Sequence, residues 1–164
     1  MRALRIEWKP WPGLPSLAGE GDLAQALRNN PATPRIVAEQ GEHKHRLPLA
    51  GVPLTRGGAI GFQVENVMAS VAAAWALGMD WSVIERGLAG FISDSVSVPG
   101  RFNLFDFKGA TVVADYGHNP DAMLALTNAV KAMAGNKRYV VISAAGDRRD
   151  EDIRQQTQIL GDVF

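Results

Sequence analysis

Asp115, His118 and Asn119 fall within five residues of one another in "GATVVADYGHNPDAM" (109–123), behind a run of small and apolar residues and directly before a proline. A carboxylate, an imidazole and an amide so placed can hydrogen-bond a polar ligand, and the imidazole can also carry a proton. A second polar group stands in "SAAGDRRDED" (143–152). Gly146 lets the backbone approach a ligand, and Arg148 and Arg149 lie beside the free amides of a helix start, a combination suited to an anion. A third candidate is Arg101 in "VPGRF" (98–102), which follows a rigid proline and a flexible glycine.

These residues need elements to position them. "FNLFDF" and "ATVVADY" read as strands joined by a Lys108-Gly109 turn, Pro120 to Met133 as a helix, "RYVVISAAG" as a buried strand, and Asp150 to Leu160 as a second helix. Strand and helix alternating at this spacing predict a right-handed βαβ unit with a parallel pair, bringing Asp115–Asn119 and Ala144–Arg148 side by side at strand ends. Ligands of open α/β sheets lie in such crevices.

Upstream, the pattern differs. Residues 1–34 hold five prolines and read as loop, with one short helix around Asp22 to Arg28. "RIVAEQGEHKHRLPLAGVPL" predicts a hairpin turning at Gly41. Val64, Val67, Met68, Val71, Ala74 and Trp75 recur at helical spacing, predicting a helix from Val64 to Leu77 stopped by Gly78. Asp80 is placed to cap a following helix, Trp81 to Leu88. "FISDSVSVP" (91–99) reads as a linker.

Composition narrows the function classes. With 46% apolar residues in 164, the chain can build a core. Seventeen Lys+Arg balance seventeen Asp+Glu, which gives no electrostatic footprint for nucleic acid or an anionic membrane. The absence of cysteine excludes disulfides and thiol nucleophiles, and no run approaches the roughly 18 apolar residues of a spanning helix. A soluble, cytoplasmic protein is expected.

"VPGRFNLFDFKGATVVADYGHNPDAM" resembles the junction and first strand–helix unit of the C-terminal domain of the Mur ligase family, and "NVMASVAAAWALGMDWSVIERGL" resembles the last helices of that family's central ATPase domain. The resemblance implies an α/β fold: the end of a Mur-type central domain, a hairpin plus a helix pair, in 33–98, and a truncated Rossmann-like βαβα unit in 99–164, behind a Pro-rich segment of uncertain fold in 1–32. "GRFNL", "DYGHNP", "SAAGDRRDEDI" and "LGDVF" narrow it to the branch that builds a poly-aspartate backbone bearing arginine side chains; peptidoglycan and folylpolyglutamate ligases are the alternatives within the family, and a non-catalytic nucleotide-binding remnant is the alternative outside it.

By the same resemblance, ATP and Mg2+ are the expected cofactors, with a carboxylate converted to an acyl phosphate that an amine attacks. Asn66, Arg101, Asp115 and Asn119 are implied to contact the nucleotide and His118 to act in catalysis. Gly146, Asp147 and Arg148 are implied to bind the incoming amino acid, arginine or aspartate, or the polymer. The family's phosphate loop, a Gly-rich turn ending in Gly-Lys-Ser/Thr, is not in these residues, and "TRGGAIGF" lacks its lysine. Its central-domain magnesium ligands are also missing from the sequence. A fragment inactive alone is therefore expected, associating with the remaining parts of a homo-oligomeric ligase.

Each residue also has an ordinary structural use. Asp115 can cap a strand end, His118 can be a satisfied turn histidine, Asn66 can cap a helix, and Arg148 and Arg149 can be a solvated helix start. His43 and His45 lack a third metal ligand and read as a solvated hairpin tip. Trp75 and Trp81 read as packing. Ser143, His118 and Asp115 have the types of a hydrolase triad, but no G-x-S-x-G surrounds the serine.

Overall fold

The structure, a computed structural model, describes residues 4–9 (as backbone), 33–143 and 148–164. The chain forms two compact units, Met1–Ile92 and Ser93–Phe164.

In the first unit, β1 (Leu4–Lys9), β2 (Arg35–Gln40) and β3 (His43–Pro48) form an antiparallel sheet in that order. The predicted hairpin is β2–β3, and Gly41 takes a φ of 63° at its turn. β1 falls in a stretch read from sequence as loop. The prolines that suggested loop begin only at Pro10, just beyond the last paired residue, Lys9. The predicted helix around Asp22 to Arg28 lies outside the described residues.

Two helices follow, α1 (Gly61–Ala76) and α2 (Trp81–Gly90). Val64, Val67 and Val71 of α1 are buried at the predicted spacing. With Ile36, Ala38, Leu47, Leu49, Val52 and Ile84 they form one core cluster. Burying each such aliphatic side chain stabilises the fold by about 1.5–3 kcal/mol. Gly78, at φ 81°, ends α1 as predicted, and its amide bonds the Trp75 carbonyl at 2.9 Å. Asp80 occupies the N-cap of α2, but its side chain makes no capping hydrogen bond. Trp75 and Trp81 pack against the core as expected. His45 differs from the expected solvated tip: it is half-buried, stacked on Trp81 at 4.3 Å between ring centroids and edge-on to Trp75 at 5.2 Å. Its register partner on β2 is the fully buried Ala38, so it faces the helices.

In the second unit, β4 (Asn103–Phe107) and β5 (Ala110–Ala114) form an antiparallel hairpin. Lys108 and Gly109 both have positive φ, 50° and 81°, the geometry that lets a two-residue loop follow strand twist. Helices α3 (Pro120–Lys131) and α4 (Asp150–Gly161) follow, close to their predicted bounds and packed on one another.

The strand expected over "RYVVISAAG" is not formed at 138–143, and no parallel pair occurs among the described residues. Tyr139 and Val141 are 83% and 98% exposed. β-branched residues favour a pleated surface only where a neighbouring strand supplies hydrogen bonds and packing, and among the described residues none pairs with this segment. The two-loop crevice built on that parallel pair is therefore not formed by the described residues; Ala144–Asp147 lie outside them.

Candidate functional site

The polar residues of the second unit gather where the hairpin's open end meets α3. β5 ends at Ala114, and Asp115 begins an irregular stretch running to Pro120, which occupies the first turn of α3. Proline there loses nothing, because first-turn amides have no partner within the helix. Asn119 takes the N-cap, its side-chain oxygen accepting from the Ala122 amide at 2.8 Å. The chain's turn at Asn119 is thus set by a cap.

His118 sits on this loop with Nδ1 3.2 Å from the Tyr116 carbonyl. A carbonyl only accepts, so the contact takes the Nδ1–H form and leaves Nε2 as the ring's second polar atom. The Tyr116 ring lies 5.4 Å from the imidazole, and Tyr116 is 65% exposed.

Arg101 lies on the turn that leads into β4, and this turn is fastened to the same loop. The Tyr116 amide donates to the Gly100 carbonyl at 2.8 Å, and Asp115 Oδ2 accepts from the Phe102 amide at 2.9 Å. Asn103, at the start of β4, accepts from the Gly100 amide at 2.7 Å and donates to the Val98 carbonyl at 3.1 Å. Ser93 Oγ donates to the Arg101 carbonyl at 3.0 Å. Phe102 is buried with φ 53°, a left-handed conformation costing a bulky residue on the order of 1–3 kcal/mol. The surrounding hydrogen bonds hold it there, and Arg101 itself is exposed.

The structure thus brings together Arg101, Asp115, His118 and Asn119. Asn66 is in the first unit, exposed on the second turn of α1, with Nδ2 donating to Gln63 Oε1 at 3.0 Å. It is not the N-cap allowed for from sequence, because α1 begins at Gly61 with Ile60 as its cap. Gly146 and Asp147 lie outside the described residues; Arg148 is half-buried, two residues ahead of α4. At that helix start the ion pair is made by Arg149, whose guanidinium donates to both carboxylate oxygens of Asp152 at 3.1 and 2.8 Å. The pairing raises the pKa of Arg149 and lowers that of Asp152, in both cases chiefly through the hydrogen bonds. Asn103 and Phe102 were not singled out from sequence. The available signal was an amide side chain opening an apolar strand, where a buried polar group must find partners.

Residues 100–164 match the Mur ligase glutamate ligase domain, from the Arg101 turn to the last residue of α4 and beyond. The likeness to the Mur ligase family is thus shown over residues 100–164. It is 37% identical to the cyanophycin synthetase of Synechocystis sp. over 113 residues, covering 69% of this chain and 13% of that protein. It is also 37% identical to the cyanophycin synthetase of Geminocystis herdmanii over 126 residues, 76% of this chain and 14% of that protein. The UDP-N-acetylmuramoyl-L-alanyl-D-glutamate–2,6-diaminopimelate ligase of Geobacillus kaustophilus is 38% identical over 88 residues, 53% of this chain and 17% of that enzyme. The chain therefore spans about one seventh of the cyanophycin synthetases it matches.

Among the described residues no three His, Cys, Asp or Glu side chains gather where they could hold a metal ion. No described helix is long and apolar enough to cross a membrane.

Proposed function

We propose that this chain supplies part of the nucleotide and amino-acid site of an ATP-dependent ligase of the cyanophycin synthetase type, which adds aspartate and arginine to a multi-L-arginyl-poly-L-aspartate polymer through an acyl phosphate. The observation that carries this reading is the exposed Arg101, held on a turn fastened to the Asp115–Asn119 loop. A guanidinium fixed at that place can meet a nucleotide phosphate by charge-assisted hydrogen bonds. His118 offers Nε2 to the reacting groups and Asn119 keeps the α3 end in place, while Asn66 is the adenine contact that the family resemblance implies. Gly146, Asp147 and Arg148 take the incoming amino acid.

The chemistry of the family depends on positioning and charge neutralisation. With no Gly-Lys-Ser/Thr phosphate loop among the 164 residues, the chain by itself does not turn over ATP; arginine-dependent ADP release by the purified chain would contradict this. The working context proposed is a homo-oligomeric enzyme of the cytoplasm, with 33–98 and 99–164 as its central-domain and C-terminal-domain segments.

Titration with ATP tests the central claim. Arg101→Ala should weaken binding by about 1.5–3 kcal/mol, the value of a hydrogen bond to a charged group. Equal affinity of the two proteins removes Arg101 from the site. A diaminopimelate ligase segment is the second reading, favoured by the 38% identity over 88 residues. Amino-acid-dependent ADP release in an enzyme containing the chain, tried with arginine, aspartate and diaminopimelate, separates the two.

A further inference from the structure

The apolar run at 139–142 lies open in the second unit. Tyr139, Val140, Val141 and Ile142 are 83%, 39%, 98% and 47% exposed, values that alternate along the chain. An extended segment turns successive side chains to opposite sides, so 139 and 141 share the more open face. No hydrogen bond joins these residues to another described residue. Unpaired amides and carbonyls on an uncharged, β-branched stretch without proline are a template for a further strand.

The ends of the run decide which strand fits. Lys137 and Arg138 stand directly before it, and the exposed Asp150 and Glu151 of the first turn of α4 follow it along the chain. A parallel copy in register would set Arg138 against Arg138, a destabilising like-charge pair. An antiparallel copy sends the two basic ends apart, each toward the end of its partner that leads on to acidic residues. Two-fold symmetry also restricts the register: opposed side chains share a face, so one residue must oppose its own copy. With Val140 on the axis, Tyr139 opposes Val141 twice, an aromatic-to-β-branched pairing favourable across antiparallel strands. That pairing covers the most exposed side chain of the run, and Arg138 lies opposite Ile142 instead of another cation.

We propose that 139–142 is a self-pairing edge: two copies of this chain join antiparallel through it, Val140 against Val140, in a contact closed by a two-fold axis. The neighbouring strand missing within one copy is supplied by a second. This goes beyond the ligase reading and stands independently of it, since no nucleotide or amino acid takes part.

Light scattering across a concentration series tests the pairing on the full chain. The native chain should pass from one copy to two as concentration rises and go no further, because the closed contact leaves no edge to extend. Val141→Lys should leave the fold of one copy intact, Val141 being exposed, and should weaken the dimer about tenfold or more by removing both Tyr139–Val141 pairs. The register has a separate readout because the chain contains no cysteine. Val140→Cys should cross-link to its own copy under mild oxidation, since opposed side chains of antiparallel strands lie close to disulfide reach. Leu77→Cys, exposed in the first unit, should cross-link far more slowly. A single copy at every concentration overturns the proposal, as does undiminished association of Val141→Lys. Val140→Cys cross-linking no faster than Leu77→Cys overturns it too. Growth past two copies would mean a contact that does not close, and the pairing falls. Binding of a different protein to 139–142 in a chain that stays single would assign the edge to that partner and equally overturn the proposal.

Discussion

The two units of this chain are ordered by different forces. Residues 33–92 contain a cluster of nine buried side chains contributed by two strands, the segment after them and two helices, every one of them apolar. Among the described residues of 93–164 the buried hydrophobics are Phe102, Met123, Ala129 and Leu160, and the buried polar side chains are Asn103 and Thr127. The hairpin there keeps Phe105, Phe107 and Val112 exposed on one face, cross-strand partners in part. A two-stranded hairpin is at best marginal without a third strand or a packed helix. What fixes its open end is a set of directional contacts from Asp115, Asn103 and Asn119. The difference teaches where specificity of shape comes from: apolar packing builds the first unit's body, and hydrogen bonds define the second unit's reactive-looking end.

The contrast can be broken by substitution, and the chain carries a convenient pair of reporters. Its four tryptophans fall in the first unit and its two tyrosines in the second. Leu49, fully buried in the cluster, should give the largest effect: Leu49→Ala should destabilise the first unit by about 2–5 kcal/mol through lost burial and a residual cavity. The tryptophan-reported urea midpoint should fall, and an unchanged midpoint would mean that the cluster does not hold this unit together. Next comes Asn103→Ala, which leaves the Gly100 amide and Val98 carbonyl without their side-chain partners at a cost of about 1–3 kcal/mol. That loss should be seen in the tyrosine near-ultraviolet signal and not in tryptophan fluorescence.

The same contrast explains what could be read from the sequence. Val64, Val67 and Val71 announced their helix because burial selects a periodic pattern, and Gly41, Gly78 and Gly109 marked turns and a helix end that need positive φ. Pro120 behind Asn119 marked the start of α3. Within the site, Arg101 and Asp115 were visible by type, but the bond between Phe102 and Asp115 spans thirteen residues and follows from no local pattern. The apolar run at 139–142 misled for a related reason. Its composition fits a strand, while strand formation depends on a neighbour that composition does not supply. β1 escaped notice because a single strand ahead of a proline-rich stretch has no turn signal tying it to β2.

A smaller effect is expected at the α3 cap. Asn119→Ala removes the acceptor for the Ala122 amide and should cost about 1 kcal/mol, with faster exchange of that amide. If Ala122 exchange is unchanged, the loop before α3 is set by something other than the cap, and the claim that polar contacts define this end weakens.

The smallest effect concerns acid. Asp94 has a pKa below its ordinary value of 3.8, chiefly because its carboxylate accepts hydrogen bonds from Ser97 and then from the Val96 amide. Asp152, paired with Arg149, is lowered likewise, and both carboxylates belong to the second unit. A depressed folded-state pKa means that the unfolded chain binds the proton more readily. The stabilisation is therefore complete above the unfolded value and is lost as pH falls through the lower folded one. The window for Asp94 consequently lies below pH 3.8. Asp94 is exposed, so the consequence there is local: the amide resonances of Val96 and Ser97 should move together with the Asp94 carboxyl titration. Asp94→Asn should abolish that coupled movement while leaving the tryptophan signal of the first unit as it was. If instead the Ser97 amide is insensitive to acid while the Asp94 carboxyl titrates, the turn ahead of Arg101 does not depend on that carboxylate, and its polar fastening is left to Ser93, Asn103 and Asp115.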